Sequence, residues 1–140
     1  MSEAKAAAGA RKPAARPMSP HLQVWRWHIT MLTSILHRAT GVALYVGVLI
    51  IAGWALALAS GPLAYDRYRL CLGSPLGKLV LFGLTFAVFY HLANGVRHLA
   101  WDVGKGFEPK TADMTGAAAI AFAVAATVAV WAVALMTGAA

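Results

Sequence analysis

The sequence predicts an all-α membrane protein with three transmembrane helices, and three observations point that way. Only 12% of its 140 residues are charged while 60% are hydrophobic, and a soluble domain carries roughly twice that charged share. Residues 39–65, 79–96 and 114–140 contain no charged side chain, and a helix needs about 20 apolar residues to cross the hydrocarbon core. Backbone groups in lipid must bond within the protein, which favours helices for continuous runs of this kind.

The elements follow in order. Residues 1–29 form an N-terminal segment whose first part, roughly 16 residues rich in Ala, Pro and basic side chains, reads as disordered. A mitochondrial transit peptide is the rival reading of that part. Pro17 and Pro20 argue against helix just beyond it, and Trp25 and Trp27 suit a headgroup-level anchor. The first transmembrane helix spans 30–60 and stops at Gly61 and Pro62. Residues 61–74, with "YDRYR", read as a polar loop. The second helix spans 75–102, with Pro75 in its first turn. The Gly- and Pro-marked loop 103–112 leads to a third helix over 113–137. That helix is dense in Ala, and small residues let membrane helices approach closely, so a packing partner is expected for it.

The net charge of +7 informs mainly through its placement. Lys5, Arg11, Lys12, Arg16, Arg26 and Arg38 precede the first apolar run, and Lys105 and Lys110 lie between the second and third. With three spans these eight share one side, against Arg67, Arg69 and Lys78 on the other. The positive-inside bias puts the N-terminus and loop 103–112 in the cytoplasm and loop 61–74 in the periplasm. The basic surplus therefore reads as topology and lipid contact rather than nucleic-acid binding. Cys71 is the sole cysteine, which excludes an intrachain disulfide, a CxxCH haem attachment and an iron–sulfur cluster built from this chain alone.

Two motifs carry candidate chemistry. In "YHLANGVRHLAWD", His91 and His98 are seven residues apart, two turns of helix and about 10.5 Å along its axis. Both imidazoles face one way, with Gly95 on the same face and Asp102 near the helix end. An ionisable side chain inside a span is costly and marks a functional candidate. Haem-iron ligation through a neutral imidazole nitrogen suits His91. Arg97, His98, His37 and Arg38, one level up, would meet the propionates with charge-assisted bonds. The alternative is a histidine bonded to a neighbouring helix. No second deep histidine exists here, so a second iron ligand would come from a partner chain.

In "SILHRATG", Ser34 and Arg38 stand at i and i+4 on one face. A hydroxyl beside a guanidinium suits a quinone carbonyl, whose oxygen gains negative charge on reduction. The alternative is a helix-start serine with a snorkelling arginine. Because the second helix runs back, Arg97, His98 and Asp102 end at the level where Ser34, His37 and Arg38 begin. His21 and His28, outside the spans, suit surface or headgroup roles.

Three blocks together resemble the cytochrome b subunit family of succinate dehydrogenase, the larger membrane anchor of respiratory complex II. "RPMSPHLQVW" is similar to that family's entry motif. "SILHRATG" resembles its Ser-x-x-His-Arg-x-[Ser/Thr]-Gly signature, and "HLANGVRHLAWD" its His-x-x-x-Gly-[Ile/Val]-Arg-His-x-x-x-Asp signature. Trp25 stands where the family often has Tyr, and the third span matches in character only.

The resemblance implies three membrane helices packed against a second small anchor subunit, with haem b between the two and His91 as this chain's axial ligand. It implies that His37, Arg38 and His98 lie near the propionates. Ser34 and Arg38 match ubiquinone-site positions, with Ile35 lining the same pocket. An iron–sulfur subunit and a flavoprotein subunit would dock on the cytoplasmic face and deliver electrons from succinate. The short leader and compact loops resemble alphaproteobacterial members, which places the chain in a bacterial inner membrane rather than a mitochondrial one. Rival readings are a fumarate reductase anchor, a purely structural anchor, and a small transporter or channel subunit.

In a Cys71→Ser background, an impermeant thiol reagent is expected to reach Arg38→Cys and Lys105→Cys from the same membrane face and Arg69→Cys from the other. Labelling of Arg38→Cys and Lys105→Cys from opposite faces would overturn the topology.

Overall fold

A computed structural model of the chain describes residues 26–138. The expected disorder of the leader, the anchor role of Trp25 and the role of His21 fall outside those residues. Four helices follow one another: α1 (Ile29–Ala59), α2 (Pro62–Gly73), α3 (Pro75–Asp102) and α4 (Pro109–Met136). By length and composition α1, α3 and α4 can each cross a membrane.

The segment expected as a loop over 61–74 is mostly helix. Gly61 takes φ 104°, a conformation that side chains resist, and Pro62 then opens α2 at its first turn. Polar composition suggested a loop, but "LAYDRYRLCL" is rich in residues with adequate helix propensity. Tyr68 fixes α2 beside α1: its hydroxyl donates to the Ile50 carbonyl at 2.6 Å, and its ring fills the space left by Gly53. Ser74 ends α2 and caps α3, its Oγ accepting from the Gly77 amide at 3.1 Å. A side chain at Gly77 would run into the backbone carbonyls of Cys71 and Leu72, so glycine permits this tight return. The last helix starts at Pro109, earlier than the expected 113, because Pro is tolerated at the first helical position.

Helix α3 packs against each of the other three. The interior it makes with α1 and α4 is built from small and hydrogen-bonding residues. Ala87 and Tyr90 of α3 and Ala112, Ala119 and Ala123 of α4 are buried, along with Thr33, Thr40, Asn94, Arg97 and Thr127. With buried Gly116, the α4 residues form one stripe at i, i+4, i+7, i+11 and i+15. The small-residue face expected to need a partner is thus used inside the chain. A Cβ at Gly116 would lie 3.2 Å from Thr33 Cγ2, so three helices meet closely there. Apolar burial gives little drive between helices in lipid, and close packing with interhelical hydrogen bonds takes over.

Arg97 supplies three of those bonds. Its Nε donates to Thr115 Oγ1 at 3.0 Å and its Nη2 to the Ala112 carbonyl at 2.7 Å, both on α4. Its Nη1 donates to Asn94 Oδ1 at 3.2 Å and reaches Thr33 Oγ1 of α1 at 3.4 Å. The guanidinium also lies over the Trp101 ring, 4.2 Å from its centroid. Close by, the Tyr90 hydroxyl donates to the Thr33 carbonyl at 2.7 Å. Towards the other end the helices border an open cavity of about 1040 Å³, lined in part by α2 residues Tyr68 and Leu72 and by Trp54 and Trp131. The outer faces carry large exposed apolar side chains such as Val48, Leu49, Leu79 and Val133.

Arg97→Met is expected to lower bundle stability by about 2 kcal/mol, from three interhelical bonds at roughly 0.6 kcal/mol each. Detergent-titrated unfolding followed by circular dichroism measures it; unchanged stability would show that Arg97 is not the tie between the helices.

Candidate functional site

The residues of "SILHRATG" run from the second into the fourth turn of α1. Ser34, His37, Arg38 and Gly41, at i, i+3, i+4 and i+7, share one side, and Thr40 turns inward beside His37. From α3, His91 and His98 point towards that side, two turns apart.

The structure brings the three histidines together. The His37 ring stacks on His91 with centroids 3.9 Å apart and planes within 11°. Its other neighbour is His98, edge-on at 4.9 Å. His37 thus sits between the two α3 imidazoles, and its Nδ1 is buried without a hydrogen-bond partner. His91 Nδ1 lies 3.2 Å from Thr40 Oγ1. Thr40 Oγ1 is also 2.8 Å from the Leu36 carbonyl and 3.0 Å from the His37 carbonyl. His98 Nε2 is 3.3 Å from Asn94 Nδ2, and the His98 ring meets the edge of Trp101 at 4.9 Å.

Glycines shape both sides of His91. A Cβ at Gly41 would sit 3.3 Å from His91 Cε1, whereas one at Gly95 would meet nothing within 4 Å. The ring is pressed to the α1 backbone while the α3 surface beside it stays open. His91 itself is half-buried.

Ser34, Ile35 and Arg38 lie exposed on α1, with Ile35 49% accessible. Neither Ser34 nor Arg38 forms a side-chain hydrogen bond or ion pair among the described residues. Arg97, expected with His37, Arg38 and His98 as a propionate contact, has its guanidinium inside the bundle. It is only 7% exposed, and all three of its nitrogens are bonded inside the bundle. It lies at the expected level but faces inward. Its link to the cluster is indirect: Arg97 Nη1 donates to Asn94 Oδ1, which leaves the Asn94 amide to donate to His98 Nε2. Asp102 is exposed at the end of α3.

Comparison with known proteins bears on what such a cluster is for. Residues 12–130 match the family described as succinate dehydrogenase/fumarate reductase transmembrane subunit. The chain belongs to that family. It is 40% identical over 116 residues to a Rickettsia felis protein named succinate dehydrogenase cytochrome b556 subunit, covering 83% of this chain and 90% of the relative. A Paracoccus denitrificans protein of the same name is 41% identical over 109 residues, 78% of this chain and 84% of the relative. The human mitochondrial succinate dehydrogenase cytochrome b560 subunit is 43% identical over 95 residues, 66% of this chain and 56% of the relative. As in the family description, this is a transmembrane subunit.

Thr40 and Asn94 went unassigned in the sequence reading. Thr33 and Thr40 are seven residues apart and both buried on one face of α1, a spacing that could have marked polar contacts to a second helix. Asn94 stands three residues after His91 and three before Arg97, within one turn of both. A polar residue so placed inside a span is the available signal.

Proposed function

We propose that the chain is the cytochrome b anchor subunit of a bacterial succinate dehydrogenase, holding haem b and one wall of a ubiquinone-reduction site. The observation that carries this reading is the cluster of His37, His91 and His98, with a buried, unpartnered Nδ1 on His37. A buried polar atom without a partner is costly in a finished fold, and a bound anionic group would satisfy it. The donor set present fits haem. The relatives' names point to the same cofactor and to succinate as the electron source.

In this reading His91 would ligate the haem iron, and its half-exposed ring beside the open surface at Gly95 leaves room for a flat macrocycle. His37, His98 and Arg38, which has no side-chain partner among the described residues, would hold the propionates. Arg97 is not among them; it orients His98 through Asn94. When bound, the haem supplies one-electron redox capacity. A second small anchor subunit covers the open face and provides the other iron ligand.

Ser34 and Arg38 form the quinone-facing edge, with Ile35 packing beside the ring. Neither polar side chain has a partner among the described residues, so both are available to donate to a carbonyl oxygen as it gains charge. Donors aimed at such charge stabilise it strongly once the site is covered and water is excluded. The basic N-terminal segment and loop place this end at the cytoplasmic face of a bacterial inner membrane. The iron–sulfur and flavoprotein subunits dock there, and protons for the reduced quinone enter from the same side.

Purified complex carrying His91→Leu is expected to lose the b-type reduced-minus-oxidised spectrum, and an unaltered spectrum at normal haem content would remove His91 as ligand. Ser34→Ala and Arg38→Leu are each expected to lower succinate–quinone reductase activity about tenfold to a hundredfold. Succinate oxidation with an artificial dye acceptor should stay intact. Unchanged quinone turnover and inhibitor binding in both variants would refute the pocket.

A further inference from the structure

We infer that Thr40 is a positioning residue that sets the tautomer and ring plane of His91. The inference rests on the reading of His91 as the haem ligand. A hydroxyl has a single proton to give. Thr40 Oγ1 lies 2.8 Å from the Leu36 carbonyl and 3.0 Å from the His37 carbonyl, and carbonyl oxygens can only accept. The proton therefore points into the α1 backbone. What Thr40 turns towards His91 Nδ1, at 3.2 Å, is a lone pair, so Nδ1 carries the hydrogen. A neutral imidazole protonated at Nδ1 has its own lone pair on Nε2. Among the described residues Nε2 has no hydrogen-bond partner, which leaves it for iron.

Two further α1 contacts hold the ring plane. Gly41 lets the ring approach the backbone, since a Cβ there would stand 3.3 Å from Cε1, and His37 stacks on its face at 3.9 Å. Positions 37, 40 and 41 of one helix thus clamp a ligand carried by another. Thr40 is 6% exposed, so water does not compete for this bond, and a hydrogen bond in such surroundings is electrostatically stronger than in water. Donation from Nδ1–H to an acceptor raises the basicity of the metal-binding nitrogen, which favours the ferric over the ferrous state.

The test uses the assembled complex. Thr40→Val removes the acceptor at similar volume. It is expected to retain haem, shift the equilibrium about tenfold towards ferrous iron, which for one electron raises the midpoint potential by about 59 mV, and change the low-spin ferric electron paramagnetic resonance spectrum. Thr40→Ser, which keeps the hydroxyl, is expected to restore both. A haem-loaded Thr40→Val with unchanged midpoint and spectrum overturns the inference, as does a Thr40→Ser shift as large as that of Val. If Thr40→Val does not assemble, Thr40→Ala is read by the same criteria. Failure of the ligand reading is distinguished by a b-type spectrum that persists in His91→Leu.

Discussion

A guanidinium inside a membrane bundle must find partners for its N–H groups within the protein, because lipid offers none. Arg97 meets that demand by bonding to α1, α3 and α4 at once. The partners on α1 and α4 fix where those helices lie relative to α3, and Gly116 lets them close around the charge. With the Tyr90–Thr33 bond, this sets the register between α1 and α3. That register decides whether the histidine on α1 meets the two on α3. A shift of α1 by one turn, about 5.4 Å, would separate His37 from His91 altogether.

The site is divided between a held part and a free part. His91 and His98 are oriented by Thr40 and by Asn94, both of which are themselves bonded inward. Ser34 and Arg38 are displayed on the outer side of the same α1 turns without partners among the described residues. Side chains positioned by a second layer of hydrogen bonds suit a permanently bound group, where orientation governs ligand chemistry. Unpartnered donors at the edge suit a substrate that comes and goes. One helix, through its three-and-four spacing, supplies both.

Much of this was legible in the sequence. Uncharged runs gave the three spans, and the seven-residue spacing of His91 and His98 placed them on one face. The meeting of the two motifs at one level followed from antiparallel connection. The inward direction of Arg97 was not legible, because its position in the chain fixes its height but not the way it faces. At two residues from Gly95 it lies on the α4 side of the helix, and only the close approach of α4 at Ala112 and Gly116 makes that side the interior. Helix α2 was read as a loop because its polar, half-exposed sequence lacks an apolar run; the contact that stabilises it, Tyr68 against Gly53, joins residues distant in the chain. The alanine stripe of α4 was read correctly as a packing face, yet its partner proved to be the chain's own α3 and α1.

The two ends of the bundle are held together by different means. Where Arg97 sits, polar contacts and small residues draw the helices close; beyond Trp131 they part around a cavity of about 1040 Å³. Atoms that line it have fewer neighbours within the chain and gain less dispersion attraction from it. The end that carries the histidine cluster is therefore also the end where the three long helices are most closely tied to one another.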